Sequence, residues 1–164
     1  MKVTFTRTGE RRYRVSVEGP RVVSSYMKPA AGYDARLPHD MAPFVVENEL
    51  RIMGGVFCQL TAGGHAHSFR PDVDQKNSRA KKRGDRVSAE RRKGGEMSER
   101  VIDIACHAWT GRPYAGVPVK GVAANDIERI CREFDKASSV WSKLPVGGSM
   151  TLEWTAVADK PKRA

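Results

Sequence analysis

Residues 2–18, KVTFTRTGERRYRVSVE, decide the fold, because apolar and polar side chains alternate on both sides of a central polar stretch. Apolar residues at every second position are typical of a β-strand with one buried face. Gly9 lies between the two alternating runs and can adopt the left-handed backbone that many tight turns need. The stretch therefore predicts a β-hairpin with arms at 2–7 and 12–18.

A second alternating stretch lies near the other end of the sequence. In 149–157, SMTLEWTAV, the apolar residues Met150, Leu152 and Trp154 are separated by polar residues, which predicts another strand. Residues 21–27 predict a third, weaker strand. Strands at both ends with helices between them indicate an α+β fold: a small antiparallel sheet in which the last strand lies beside the first hairpin and three to four helices cover one face.

The first helix is predicted within 37–52, LPHDMAPFVVENELRI, where apolar residues recur at helical spacing. Asp40 is a favoured N-cap residue type, and it would place Pro43 in the first turn, where the missing N–H costs little. The pair Gly54-Gly55 is expected to end the helix.

Three further helices are predicted. A short one covers 56–62, VFCQLTA, and another begins with Ser98 as N-cap and ends at Gly111. The clearest begins at Asn125 or Asp126, since apolar residues step by three and four from there to residue 141. The glycine pairs at 54, 63, 94 and 147 match neither phosphate-binding fingerprint and are interpreted as helix stops and turns, so no cofactor is predicted.

Length and charge predict one basic domain over residues 1–164. The net charge is +10, with +5 in residues 1–30, −2 in 31–69 and +5 in 70–100. Residues 65–96 have little apolar content, which predicts a basic, mobile insertion or an exposed charged helix, because such a segment cannot bury enough surface to offset its ordering entropy.

The cellular compartment is predicted from the lack of a membrane-spanning run or secretory signal and from the cysteine content. No apolar run approaches the roughly 20 residues that a bilayer requires, and the charged N-terminus lacks the apolar region of a secretory signal. The three cysteines, Cys58, Cys106 and Cys131, are far apart and have apolar neighbours, as expected of reduced thiols. These observations predict a cytoplasmic protein with no membrane partner.

The excess of basic residues suggests contact with the backbone of DNA or RNA, because clustered lysine and arginine side chains neutralise phosphates. An acidic protein bound by the same segment, which would make this chain an adaptor, is the alternative, and a non-enzymatic binding or regulatory role is predicted in either case. The candidate contact residues are Arg79, Lys81, Lys82, Arg83, Arg86, Arg91, Arg92 and Lys93 in the central segment, with Arg12 and Arg14 in the hairpin.

A third hypothesis is a small hydrolase that uses His39 and Asp40. It requires a solvent-filled cleft at the start of the first helix, and side chains that only cap the helix would argue against it. A zinc-binding helix would need a second histidine four positions after His39, but that position is Pro43, so no metal site is predicted.

Two other sequence patterns that contain histidine are weaker indications of a functional site. His65 and His67 could chelate a metal from a loop, but short pairs of this kind are frequent in polar loops. Cys106 and His107 are adjacent in a predicted helix and point about 100° apart, so they do not form a nucleophile–base pair. No catalytic residue is predicted from either pattern.

Three segments resemble a group of small uncharacterised bacterial proteins: LPHDMAPFVVENEL at 37–50, GGVFCQLTAGG at 54–64 and LPVGGSMTLEW at 144–154. In that group a second histidine often stands at the position of Pro43. The resemblance covers about two-thirds of the chain with the hairpin included. It implies a cytoplasmic bacterial domain and carries over no activity.

Overall fold

The structure, a computed structural model, describes residues 1–20, 22, 24–27, 34–62, 69–71, 82, 85–86, 89 and 92–156. Five strands form one antiparallel sheet in the order β4-β3-β2-β1-β5, and four helices complete the described fold. The strands are β1 Lys2–Gly9, β2 Arg12–Glu18, β3 Ser25–Met27, β4 Arg70–Pro71 and β5 Ser149–Glu153; the helices are α1 Met41–Leu50, α2 Val56–Thr61, α3 Arg92–Trp109 and α4 Ala124–Trp141. The predicted α+β fold is confirmed.

The hairpin and the last strand pair as the alternating pattern predicts. In β1 and β2 the apolar residues Val3 and Phe5 lie opposite Val17 and Val15, and β5 places Met150 opposite Phe5 on the other side of β1. The turn differs from the prediction, because Gly9 pairs with Arg12 at the end of the hairpin and its backbone is not left-handed. The register shifts between Arg7 and Gly9, and this bulge accommodates the extra residue.

The two faces of the sheet have opposite character. Aromatic contacts join the apolar face to the helices: Phe5 meets Phe44 of α1 edge-on at 6.4 Å, and Tyr13 meets Trp141 of α4 at 5.9 Å. The side chains of the other face, which we call the open face, are exposed or half-buried. They are Lys2, Thr4, Thr6, Arg12, Arg14, Ser16, Glu18, Tyr26, Arg70, Ser149, Thr151 and Glu153.

Helix α1 ends earlier than the predicted glycine pair. Arg51 adopts the left-handed conformation at φ 51°, and its N–H donates to the carbonyl of Glu47, as does the N–H of Ile52 at 3.0 Å. Both bonds go to the Glu47 carbonyl in the last turn of the helix, so the chain turns before Gly54 is reached.

Helix α3 begins six residues before the predicted N-cap. Ser98 is buried inside the helix, and Gly94-Gly95 forms part of its first two turns instead of a helix stop. A Cβ at Gly94 would overlap the carbonyl oxygen of Met53, so the glycine permits close packing of α3 on the turn after α1. The predicted end is confirmed, with Gly111 at φ 67°.

Helix α4 follows its predicted apolar face closely. Ile130, Phe134 and Trp141 are buried, and the Asp126 carboxylate accepts a hydrogen bond from the Ala123 N–H at 2.9 Å. Within the described parts of the chain, no helix has the length and apolar character needed to cross a membrane.

Candidate functional site

A cleft of about 620 Å³ opens between the start of α1, the turn that joins α1 to α2, and the first half of α3. It is larger than two other cavities lined by described residues, of about 330 and 420 Å³. We call it the α1–α3 cleft. Its lining comprises His39, Asp40, Pro43, Glu47, Gly54, Gly55, Val56, Gln59, Gly95, Glu96, Ser98, Glu99 and Ile102.

Glu47 forms the floor of the α1–α3 cleft and is only 1% exposed. Its Oε1 accepts hydrogen bonds from the Val56 N–H at 3.1 Å and the Ser98 hydroxyl at 3.3 Å, and its Oε2 accepts one from the Phe57 N–H at 3.0 Å. Burial raises the pKa of the Glu47 carboxyl to about 7, although these bonds oppose the shift. Glu47 therefore joins three helices and titrates near neutral pH.

Gly55 makes this arrangement possible. A Cβ at residue 55 would overlap both carboxylate oxygens of Glu47, so only glycine lets the backbone approach the carboxylate this closely. The carboxylate then satisfies two N–H groups at the start of α2 that have no partner within the helix. The glycine predicted to stop α1 instead positions a buried charge.

Asp40 precedes α1 as predicted, but its side chain does not cap the helix. An N-cap carboxylate usually accepts from the N–H two or three positions on, and the third position here is Pro43, which has no N–H. The Asp40 carboxylate instead accepts a hydrogen bond from the Tyr13 hydroxyl, which in turn accepts one from the Asp40 N–H at 3.3 Å. Burial raises the pKa values of both side chains.

His39 lies beside Asp40 at the mouth of the cleft. Its side chain is 73% exposed, and its Nδ1 is 3.9 Å from Asp40 Oδ1, which is too long for a hydrogen bond. The cleft that the hydrolase hypothesis requires is present, and the two side chains do not cap the helix. However, Asp40 does not orient the His39 ring, as a catalytic base would need.

Negative charge dominates the α1–α3 cleft. Four carboxyl groups line it, those of Asp40, Glu47, Glu96 and Glu99, and no lysine or arginine is among the described lining residues. Apolar contact is available from the rings and side chains of Pro43, Val56 and Ile102. The cleft is thus an acidic, partly apolar cavity in a chain whose net charge is +10.

No protein-family model matches this chain, and neither a curated protein nor a solved structure matches it.

The predicted nucleic-acid contacts separate into several groups. Arg12 and Arg14 lie on the open face, and the Arg14 guanidinium carbon is 4.5 Å from the centre of the Tyr26 ring. Lys82 and Arg86 are exposed, whereas Arg92 and Lys93 belong to the first turn of α3. The other four predicted contacts, Arg79, Lys81, Arg83 and Arg91, lie outside the described residues.

The remaining candidate side chains have local partners or fall outside the description. His107 Nδ1 lies 2.9 Å from the Asp103 carbonyl and 3.2 Å from its carboxylate, and burial raises the pKa of the Cys106 thiol, so this thiol is not activated. His65 and His67 lie outside the described residues. Among those described, no group of three or more His, Cys, Asp or Glu side chains is arranged to hold a metal ion.

The burial of Glu47 could have been inferred from the composition of α1, although not from residue spacing alone. Apolar residues occupy nearly every position of α1 before Glu47, and six residues of this ten-residue helix are buried. A helix that is apolar on most sides lies inside the protein, so a carboxylate within it is buried as well. The strand of Arg70 was not predicted because it is only two residues long. Tyr26 lies within the predicted third strand at 21–27, but its position beside Arg14 depends on how that strand pairs, which the sequence does not show.

Proposed function

We propose that the α1–α3 cleft binds a small organic cation, an alkylammonium or alkylguanidinium group with a short apolar chain. The observation that carries the proposal is a cavity of about 620 Å³ lined by four carboxyl groups and by no described lysine or arginine, in a chain of net charge +10. Concave sites with apolar walls and a few convergent polar groups are the usual form of small-molecule sites.

The carboxyl groups of the lining favour a positively charged ligand. The chain has 29 lysine and arginine residues and 19 aspartate and glutamate residues, so a cavity whose described lining carries carboxylates and no lysine or arginine opposes the overall field. Walls of low dielectric strengthen the attraction between such carboxylates and a cation that enters. The rim residues Glu96 and Glu99 are exposed and supply the outer charges, and Glu47 supplies the innermost one.

Titration of Glu47 links this binding to pH. A cation favours the ionised form of Glu47, whose pKa is about 7, so part of the binding energy is used to remove a proton at lower pH. If binding requires the ionised form, affinity rises about tenfold between pH 6 and pH 8, because the ionised fraction rises by that factor.

The test is a titration followed by two-dimensional amide NMR. Agmatine, which carries guanidinium and ammonium groups on a butyl chain, is the cationic probe, and butane-1,4-diol is the neutral probe of similar length. We expect agmatine to shift the amides of residues 54–59 and 95–99, with an affinity that rises with pH, and the diol to have little effect.

Matched variants separate the cleft from general charge. Glu96→Gln with Glu99→Gln should weaken agmatine binding at least fivefold, since two exposed carboxylates each add roughly 0.5 kcal/mol of attraction at moderate salt. Glu128→Gln with Asp103→Asn removes the same charge from exposed positions outside the cleft lining and should change little. Equal affinity for the diol, or equal weakening by both pairs, would refute the proposal.

A further inference from the structure

We propose that the open face binds single-stranded nucleic acid at a cluster formed by Arg12, Arg14, Tyr26 and Arg70, called here the Arg–Tyr corner. In this arrangement the arginine side chains contact phosphates, and an unpaired base stacks beside the Arg14–Tyr26 pair. This surface is separate from the α1–α3 cleft, so the proposal does not depend on the cationic ligand.

The ladder of the sheet places Arg14, Tyr26 and Arg70 on three neighbouring strands, and Arg12 lies on the same face two residues before Arg14. Tyr26 of β3 pairs with Ser16 of β2 on one side and with Arg70 of β4 on the other. Arg14 lies two residues before Ser16 on the same face of β2, and its guanidinium carbon is 4.5 Å from the centre of the Tyr26 ring. A cation and an aromatic ring are thus stacked on a regular, hydrogen-bonded surface.

The charge of the corner complements a phosphate backbone. Its three charged residues are all arginines. The two acidic strand residues of the open face, Glu18 and Glu153, both lie opposite Lys2, and Glu18 is the nearer one, two residues after the Ser16 that pairs with Tyr26. Thr6 lies between Arg14 and Ser149, so the surface continues with hydroxyl groups that can donate to phosphate oxygens. The corner therefore offers planar cations and neutral donors to an anionic chain.

The ring at the corner favours single strands over duplexes and over acidic proteins. Aromatic and guanidinium planes bind nucleic acids by stacking with bases that are not paired, and this stacking tolerates any base. A duplex keeps its bases inside, and an acidic peptide would use the arginines without needing Tyr26. Residues on β-sheets that combine stacking planes with basic side chains suit a flexible strand laid across the sheet.

The experiment is fluorescence anisotropy of the full-length protein with a labelled 12-nucleotide uridine RNA, across a range of salt concentrations. A labelled duplex DNA of the same length and a labelled polyglutamate peptide serve as comparison probes. We expect the RNA to bind most tightly, with a logarithm of affinity that falls linearly with the logarithm of salt concentration.

Two pairs of substitutions with equal change of charge locate the binding surface. Arg12→Ser with Arg14→Ser should weaken RNA binding at least tenfold and reduce the salt slope by about 1.4, from about 0.7 for each lost phosphate contact on a single strand. Arg132→Ser with Lys120→Ser, at exposed positions outside the sheet, should change affinity less than threefold. Equal losses for the two pairs would show that only net charge matters and would overturn the proposal.

Tyr26 tests the stacking component. Tyr26→Leu should weaken RNA binding about tenfold, and Tyr26→Phe, which keeps the ring, should retain wild-type affinity. Melting temperatures of both variants show whether they fold. No effect of Tyr26→Leu, duplex binding as tight as RNA binding, or a preference for polyglutamate would each overturn the assignment, and the last result would identify an acidic protein as the partner.

Discussion

The α1–α3 cleft and the open face carry charges of opposite sign, and they hold those charges in different ways. In the cleft, Glu47 is buried and receives three hydrogen bonds from fixed donors. On the open face, Arg12 is exposed and Arg14 is half-buried. A buried charge depends on every donor around it, whereas an exposed one is solvated and screened by salt. Substitutions should therefore cost much more stability around the cleft than on the open face.

Gly55→Ala is expected to have the largest effect. The added methyl group would overlap the Glu47 carboxylate, so either the start of α2 or the carboxylate must move, at a cost of about 3 kcal/mol in the free energy of unfolding. Gly9→Ala in the hairpin is the matched control, because its Cβ would meet only the Arg12 side chain at 3.6 Å or more. Urea unfolding followed by tryptophan fluorescence measures both. Similar losses for the two variants would contradict the contrast between the regions.

A change of pH should have the second-largest effect on stability, through the Glu47 carboxyl of the cleft. Folding raises the pKa of Glu47 from an ordinary 4.5 to about 7, so the folded state binds the proton more tightly. The resulting stabilisation is complete below about pH 4.5 and is lost as pH rises through 7. Between pH 5 and pH 8 the free energy of unfolding should fall by roughly 2 to 3 kcal/mol from this group alone.

Glu47→Gln isolates this contribution, because the amide does not titrate. We expect the stability of wild type minus that of the variant to be larger at pH 5 than at pH 8. Other groups, such as Asp40 with its own raised pKa, titrate in both proteins and cancel in the difference. A difference that does not depend on pH would mean that Glu47 keeps one protonation state throughout.

The sequence predicted the sheet and the helix faces because those depend on periodicity. The alternation of Val3, Phe5, Val15 and Val17 specifies a buried face whatever the neighbours are, and the register confirms it. The end of α1 could not be predicted in the same way, since Arg51 takes a left-handed conformation that arginine does not favour.

The site was less predictable because it depends on contacts distant in sequence. Asp40 is an N-cap by residue type, and Pro43 three positions later indicates that one of the usual capping donors is missing. Nothing near Asp40 in sequence shows that Tyr13, 27 positions away, donates the hydrogen bond to its carboxylate. Ser98 was predicted to be a helix N-cap from its residue type and position. In the structure its hydroxyl donates instead to Glu47, 51 positions away, and no local pattern shows this contact.

The two tyrosines of the sheet give the smallest and most direct comparison. Tyr13→Phe removes the hydroxyl that donates to the half-buried Asp40 carboxylate, and a hydrogen bond to a charged group contributes about 1.5 kcal/mol or more. Tyr26→Phe removes a hydroxyl from the half-buried ring on the open face, where water can replace it, so the free energy of unfolding should change by less than about 0.5 kcal/mol. Both variants keep their rings, so packing against Trp141 and under Arg14 is preserved.

Urea unfolding of the two variants at pH 7 and again at pH 4 completes this comparison. Burial raises the pKa of the Asp40 carboxyl, so lowering the pH protonates more of it than of an ordinary aspartate. The protonated carboxyl needs its donor less, so the cost of Tyr13→Phe should be smaller at pH 4 than at pH 7. The small effect of Tyr26→Phe should not depend on pH. If Tyr13→Phe costs no more than Tyr26→Phe at pH 7, the Tyr13–Asp40 bond does not stabilise the cleft. The contrast would then rest on the buried Glu47 and the glycine beside it.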